Sequence, residues 1–182
     1  MTETDLREMI GSWDNLSLVL DHIVGHPEYF DVLMAVALDD QLENSWRVSW
    51  MISKIYEKHP SLPEPYLVPI IDFLQRTNNS SKKREFLKLV SYYEVPEDQT
   101  ALMLDYCIRQ FTDAGEPVAV RVHAMQILFN ISEREPELKH ELIELIGHEM
   151  EYHPSAGIRS RGSKLLKKLY RQTTAVVSHK RP

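Results

Sequence analysis

The side chains best suited to hold a metal are two pairs of histidines. His22 and His26 stand four residues apart, one helical turn, and His148 and His153 are flanked by Glu149 and Glu151. Either pair supplies two ligands, whereas a protein zinc site takes three or four, and neither reproduces the HExxH spacing. Each pair also ends in a histidine directly before a proline, a dipeptide that returns at His59-Pro60 and reads as helix punctuation. No metal and no cofactor are expected. The single cysteine, Cys107, lies in an apolar helical run with no neighbouring histidine or basic dyad, so it reads as a small core residue rather than a nucleophile. A lone cysteine excludes an internal disulfide and a cysteine-based zinc site and points to a reducing, cytoplasmic setting. There is no phosphate-cradling glycine loop and no nucleophile elbow, and the carboxylates follow helix surfaces rather than forming an isolated pair. The expectation is a protein that is not an enzyme.

The elements that must position any functional side chain are helices. The stretch Pro117 to Arg134, PVAVRVHAMQILFNISER, sets the pattern. At 100° per residue Val118, Val122, Met125 and Phe129 form one apolar stripe, and Ala124, Leu128 and Ile131, widened by Val120 and Ile127, form a second. Only His123, Gln126 and Asn130, with Glu133 at the edge, make a polar face. A helix this apolar must touch neighbours on several sides. Arg121 projects between the stripes, and its guanidinium requires an acceptor, for which an acidic residue in a neighbouring turn is the natural choice.

The same pattern recurs at a period of roughly forty residues. Ile158-Arg159 with Gly162, Leu166 and Leu169 reproduces Val120-Arg121 with Ala124, Leu128 and Ile131. Lys83 with Phe86, Leu87, Val90 and Tyr93, and Ser45 with Val48, Ile52 and Ile55, follow the spacing more loosely. A hydrophobic-Arg-x-x-small-x-x-x-Leu helix, preceded by a second amphipathic helix and repeated at this period, resembles the HEAT-like repeats of the armadillo/HEAT helical repeat family. The resemblance covers roughly Glu28 to Arg171. It implies an all-α fold, a right-handed α-solenoid of about four to five helix pairs. The second helices would line a concave face used to bind proteins and sometimes nucleic acids.

At 182 residues the chain suits one domain, expected over 1–172. It would comprise an atypical N-terminal pair (1–26) and repeats at about 28–59, 62–94, 97–135 and 137–171, followed by a flexible basic tail, 173–182. The terminal pair would hold a helix from Thr4 to Ile10 and one capped by Asp14. Leu42 to Lys58 and Ser81 to Tyr93 read as second helices, the latter capped from Thr77-Asn78-Asn79-Ser80. Between them a helix from Tyr66 to Arg76 is expected to bend at Pro69. Pro96 and Pro136 open further helices, and Ser155 caps the last, which should end near Arg171.

Carried through the repeats, the polar face of His123, Gln126 and Asn130 becomes a ridge. Arg47, Trp50 and Lys54 fall on it in one repeat, Glu85, Lys88 and Tyr92 in the next, and Arg161, Lys164 and Lys168 in the last. Aromatic residues beside cations are common interface anchors, so the ridge is expected to bind a protein or peptide partner. The plain alternative is that Trp50 packs on Trp46 and that the lysines form a solvated face.

Charge is distributed unevenly. Acids dominate before Ser61, whereas Arg159, Arg161, Lys164, Lys167, Lys168, Arg171, Lys180 and Arg181 are unopposed after Ser155. The basic end supports an alternative in which the last repeat engages nucleic acid, as in the HEAT-like alkylpurine DNA glycosylases, although no match to that family's catalytic arrangement is present. A net charge of -6 weighs against nucleic acid. Opposite charges at the two ends also allow weak self-association. No apolar run approaches a membrane span, and a soluble protein is expected.

Overall fold

A computed structural model describes residues 2–9 and 12–178, and for residues 3, 13–16 and 175–178 it describes the backbone alone. All regular structure among them is helical: α1 (Glu3–Met9), α2 (Trp13–Gly25), α3 (Phe30–Ala37), α4 (Trp46–Lys58), α5 (Leu67–Leu74), α6 (Ser80–Val90), α7 (Thr100–Thr112), α8 (Val118–Arg134), α9 (Lys139–Tyr152) and α10 (Ala156–Ser178). None of these helices is long and apolar enough to cross a membrane.

Prolines set where several helices begin. Pro27, Pro65 and Pro136 lie in single 3-10 turns that lead into α3, α5 and α9. Pro69, expected to bend its helix, is the third residue of α5, where a backbone N–H has no intrahelical acceptor and its loss breaks no bond. Asn79 caps α6, its Oδ1 accepting from the N–H groups of Ser81 at 3.1 Å and Lys82 at 3.2 Å. Ser155 Oγ accepts from Ile158 N–H at 3.2 Å at the start of α10. The turn before α4 needs a left-handed residue, and Asn44 supplies it with φ 64°.

Several boundaries differ from expectation. Residues 42–45 form turns, so α4 begins only at Trp46. Asp14 lies within α2 rather than before it. α6 stops at Val90, leaving Tyr92 and Tyr93 in the following turn. α10 runs on to Ser178, past the expected end near Arg171. Ile10 and residues 179–182 of the expected tail lie outside the described residues.

The chain divides into two compact units, Met1–Pro96 and Glu97–Pro182, with the boundary at the link between two of the expected repeats. In the first unit the hairpins α1/α2, α3/α4 and α5/α6 stack through their second helices, α2 on α4 and α4 on α6. In the second unit α7/α8 and α9/α10 stack through α8 on α10. The helices bury i, i+3, i+4 stripes such as Val48, Met51, Ile52 and Ile55 on α4, and Met103, Tyr106, Cys107 and Phe111 on α7. Each large aliphatic or aromatic side chain fully buried in this way contributes about 1.5–3 kcal/mol. On α8 both apolar stripes contribute, Ala124, Leu128 and Ile131 joining Met125 and Phe129 in the core. Arg121 finds the acidic partner its position demands, Glu149 on α9.

Candidate functional site

In the first unit, polar side chains of α4 and α6 meet above the stripe that joins the two helices. Lys54 Nζ donates to Glu57 Oε1 at 2.8 Å. That bond raises the Lys54 ammonium above its ordinary range, with Glu85 and Tyr92 adding to the effect, and Lys54 in turn lowers the Glu57 carboxyl, to which Lys88 contributes. Lys54, Glu57, Lys88 and Tyr92 therefore form one electrostatic patch. Tyr92 lies flat on Tyr56, ring centroids 4.6 Å apart and planes 11° from parallel, yet it remains 46% exposed. Beneath it Tyr93 is fixed by donating its hydroxyl to the Pro60 carbonyl at 2.6 Å, and burial pushes its own ionisation up.

Glu85 does not share that surface. It is 5% exposed, accepts from Ser53 Oγ at 3.1 Å and from Arg84 Nε at 3.0 Å, and bonds α4 to α6 from below. Arg47 and Trp50 are half-buried, with the Arg47 guanidinium 5.7 Å from the Trp46 ring centroid. Spacing alone does not single out Tyr56 or Glu57; the one available signal was that Tyr56 follows Ser53 by three residues on the face turned toward α6.

In the second unit, α8 and α10 bring Gln126, Asn130, Arg161, Lys164 and Lys168 together. Gln126 Nε2 donates to Asn130 Oδ1 at 2.8 Å, and Arg161 Nη1 donates to Gln126 Oε1 at 2.6 Å. Gln126, Arg161, Lys164, Leu165, Lys167, Lys168 and Arg171 line a surface cavity of about 330 Å³. The Lys168 ammonium lies 5.4 Å from the Phe129 ring centroid, within cation–π range. His123 is half-buried on the same helix. Lys167 and Arg171 belong to the cavity although the ridge spacing passes over them.

A second concavity of about 250 Å³ lies between α7, α8 and α9, walled by Leu104, Ile108, Leu128, Leu142 and Leu145 with Glu141 at its rim. Nothing in a helix-by-helix reading predicts it, because it is the gap left between two first helices resting on a common second helix.

The histidine pairs have distinct surroundings. His22 stacks on Tyr29 and leans on His26, ring centroids 5.3 and 4.7 Å apart. His148 and His153 both turn Nδ1 to Glu149, at 3.2 and 3.0 Å, and the potential ligand atoms of these three residues lie within 4.8 Å of one another. The carboxylate they share is already met by Arg121 at 2.6 Å, so an ion bound there would compete with a buried guanidinium. Cys107 is fully buried, and burial pushes its thiol up, away from the thiolate a nucleophile needs.

Against known proteins, a family model described as a HEAT repeat domain matches residues 2–169. The comparison with curated proteins gives no match, and the comparison with solved structures gives none.

Proposed function

Since the chain belongs to the HEAT repeat family, whose repeats generally mediate protein–protein interaction, we propose that it is a non-enzymatic module that holds a protein or peptide along the polar ridges of its second helices, the concave side in this family. The observation that carries this reading is Tyr92, stacked on Tyr56 yet nearly half exposed, with the Lys54–Glu57 pair and Lys88 beside it. A rigid aromatic ring bordered by charges of both signs is the composition of an interface anchor and its rim. In the first unit the contact residues are Arg47, Trp50, Lys54, Lys88 and Tyr92, with Glu85 acting from beneath to hold α4 against α6. In the second they are His123, Gln126, Asn130, Arg161, Lys164 and Lys168. A cytoplasmic location suits the lone, buried Cys107.

Changing Trp50→Ala and Lys54→Glu together is expected to abolish capture of the partner from a cell lysate while leaving the helical circular-dichroism signal unchanged. Capture that persists in the folded double variant rejects the ridge of the first unit as the docking surface.

A further inference from the structure

No acid lines the cavity between α8 and α10; the nearby Glu133 carboxylate of α8 is taken by Gln172 and Lys139. Several cations elsewhere sit against carboxylates: Arg7 on Asp39, Lys58 near Asp21, Arg109 on Asp105 and Lys139 on Glu133. Along this cavity the lining cations are Arg161, Lys164, Lys167, Lys168 and Arg171, and no acid joins them. Among the described residues Lys164, Lys167 and Arg171 have no hydrogen-bond or ion-pair partner, and Lys168 has only the Phe129 ring. Like charges at i, i+3 and i, i+4 repel along a helix, so the arrangement disfavours the isolated protein.

Arg161 is held differently from the lysines. Its Nη1 donates to Gln126 Oε1, and Gln126 is itself held by its Nε2 bond to Asn130 Oδ1. Two neutral amides therefore orient the guanidinium without cancelling its charge. The rest of its planar fork has no acceptor among the described residues, and that fork matches a carboxylate in two-point geometry. The floor beside it is apolar, formed by buried Leu165 and the Phe129 ring under Lys168.

We propose that this groove docks a short acidic segment of a protein partner. One carboxylate sits on Arg161, neighbouring ones on Lys164, Lys168 and Arg171, and an apolar side chain of the segment lies over Leu165. The inference rests on the interaction-module reading and names the chemistry of the partner for the second unit. A peptide fits better than a nucleic acid for three reasons. Unopposed charge is confined to one helix rather than running as a long track. The adjoining α9 exposes Glu141, Glu144 and Glu151 outside the cavity lining, so an extended polyphosphate running beyond the groove meets repulsion that a short segment seated within it does not. The whole chain carries a net charge of -6.

The test is fluorescence anisotropy on the full chain at low salt. The probe is a labelled synthetic peptide alternating glutamate with leucine, set beside the same peptide with glutamine for glutamate and a single-stranded oligonucleotide of equal charge. The acidic peptide is expected to bind, the amide version to fail, and Arg161→Glu with Lys164→Glu to weaken binding by about tenfold or more. Gln126→Ala, which unties Arg161 and removes one neutral side chain from the cavity wall, is expected to weaken it by a smaller factor. Binding of the oligonucleotide as tightly as the acidic peptide, no binding of the acidic peptide, or affinity unmoved by the double charge reversal would each overturn the proposal. The Trp50→Ala, Lys54→Glu variant is expected to keep the peptide affinity. If it loses partner capture while the wild-type chain ignores the acidic peptide, this inference alone fails; if the wild-type chain captures no partner at all, the interaction-module reading fails.

Discussion

Arg121 and Glu149 stand 28 residues apart in the chain and 2.6 Å apart in space, joining the second helix of one hairpin to the first helix of the next. Their side chains are 5% and 3% exposed. Arg121 Nε also donates to the Phe111 carbonyl near the end of α7, so one guanidinium ties α7, α8 and α9 together. Removing Arg121 leaves the buried Glu149 carboxylate with only the Nδ1 atoms of His148 and His153 beside it, whereas replacing both partners with apolar residues removes the desolvation cost as well. Arg121→Met is therefore expected to lower unfolding free energy by about 3–5 kcal/mol. Arg121→Met combined with Glu149→Leu should recover most of that loss. Urea denaturation of the two variants checks it, and a double variant as unstable as the single would contradict the account.

What the sequence made legible was local. The apolar stripe of α4, the Ala124, Leu128 and Ile131 stripe of α8, the caps at Asn79 and Ser155, and the requirement that Arg121 find an acid all follow from spacing within a turn or two, whereas Val118 of the other α8 stripe is 41% exposed. What it concealed depends on which neighbour covers which side chain. Glu85 lies on the polar ridge by spacing, but α4 packs over it and presents Ser53. Nothing in the spacing singles out Lys82. It is fully buried, its Nζ donating to the Asp39 carbonyl at 2.8 Å and lying 3.1 Å from Asp40 Oδ1, so that α6 pins the loop before α4. Burial pulls its ammonium below the ordinary lysine range, and Asp40 offsets only part of that. Spacing puts Tyr92 on the helix, but α6 ends at Val90, and Tyr92 stacks on Tyr56 from the turn that follows.

At Gly162, α10 passes close against α9. A Cβ there would lie 2.5 Å from Met150 Sδ, 3.0 Å from Met150 Cγ and 3.2 Å from Ile146 Cγ2. Met150 is flexible and can swing aside, and alanine is favoured over glycine in a helix by about 1 kcal/mol, so the two effects nearly cancel. Gly162→Ala is expected to leave stability within about 1 kcal/mol of wild type, and Gly162→Val to cost about 1–3 kcal/mol, since the branched side chain also meets Ile146. Thermal unfolding of both variants, with and without Met150→Ala, checks the assignment: relief of the valine variant by the smaller residue 150 is the expected result.

Asp39 gives the first unit an acid-sensitive contact. The Arg7 guanidinium at 3.0 Å, reinforced by the Gln41 backbone N–H, holds its carboxyl below the usual carboxylate range. The unfolded chain then takes up this proton at a higher pH than the folded one. The contribution is fully present above about pH 4 and is lost as pH falls through the depressed folded value. Both side chains are about a third exposed, at 34% and 29%, so solvent screening limits the pair to about 1 kcal/mol. Asp39→Asn is expected to be less stable than wild type by up to that amount at neutral pH, with the gap closing on acidification. A gap unchanged between neutral pH and about pH 2, measured by urea unfolding, would contradict it.

Tyr92 separates anchoring from folding. Its stack on Tyr56 at 4.6 Å contributes about 0.5–1.5 kcal/mol, and it stands in an exposed turn beyond α6 rather than in the core. Tyr92→Ala should therefore lower stability by no more than about 1.5 kcal/mol. Loss of an aromatic interface anchor typically costs 2 kcal/mol or more of binding, about thirtyfold in affinity. Partner binding should therefore fall further than stability does. Tyr92→Phe keeps the stacked ring and should keep most of the affinity. Titration of the captured partner against both variants, alongside urea unfolding of each, decides the matter: an alanine variant that binds as wild type while folding normally would remove Tyr92 from the docking surface, and the patch around Lys54 and Lys88 would lose its anchor.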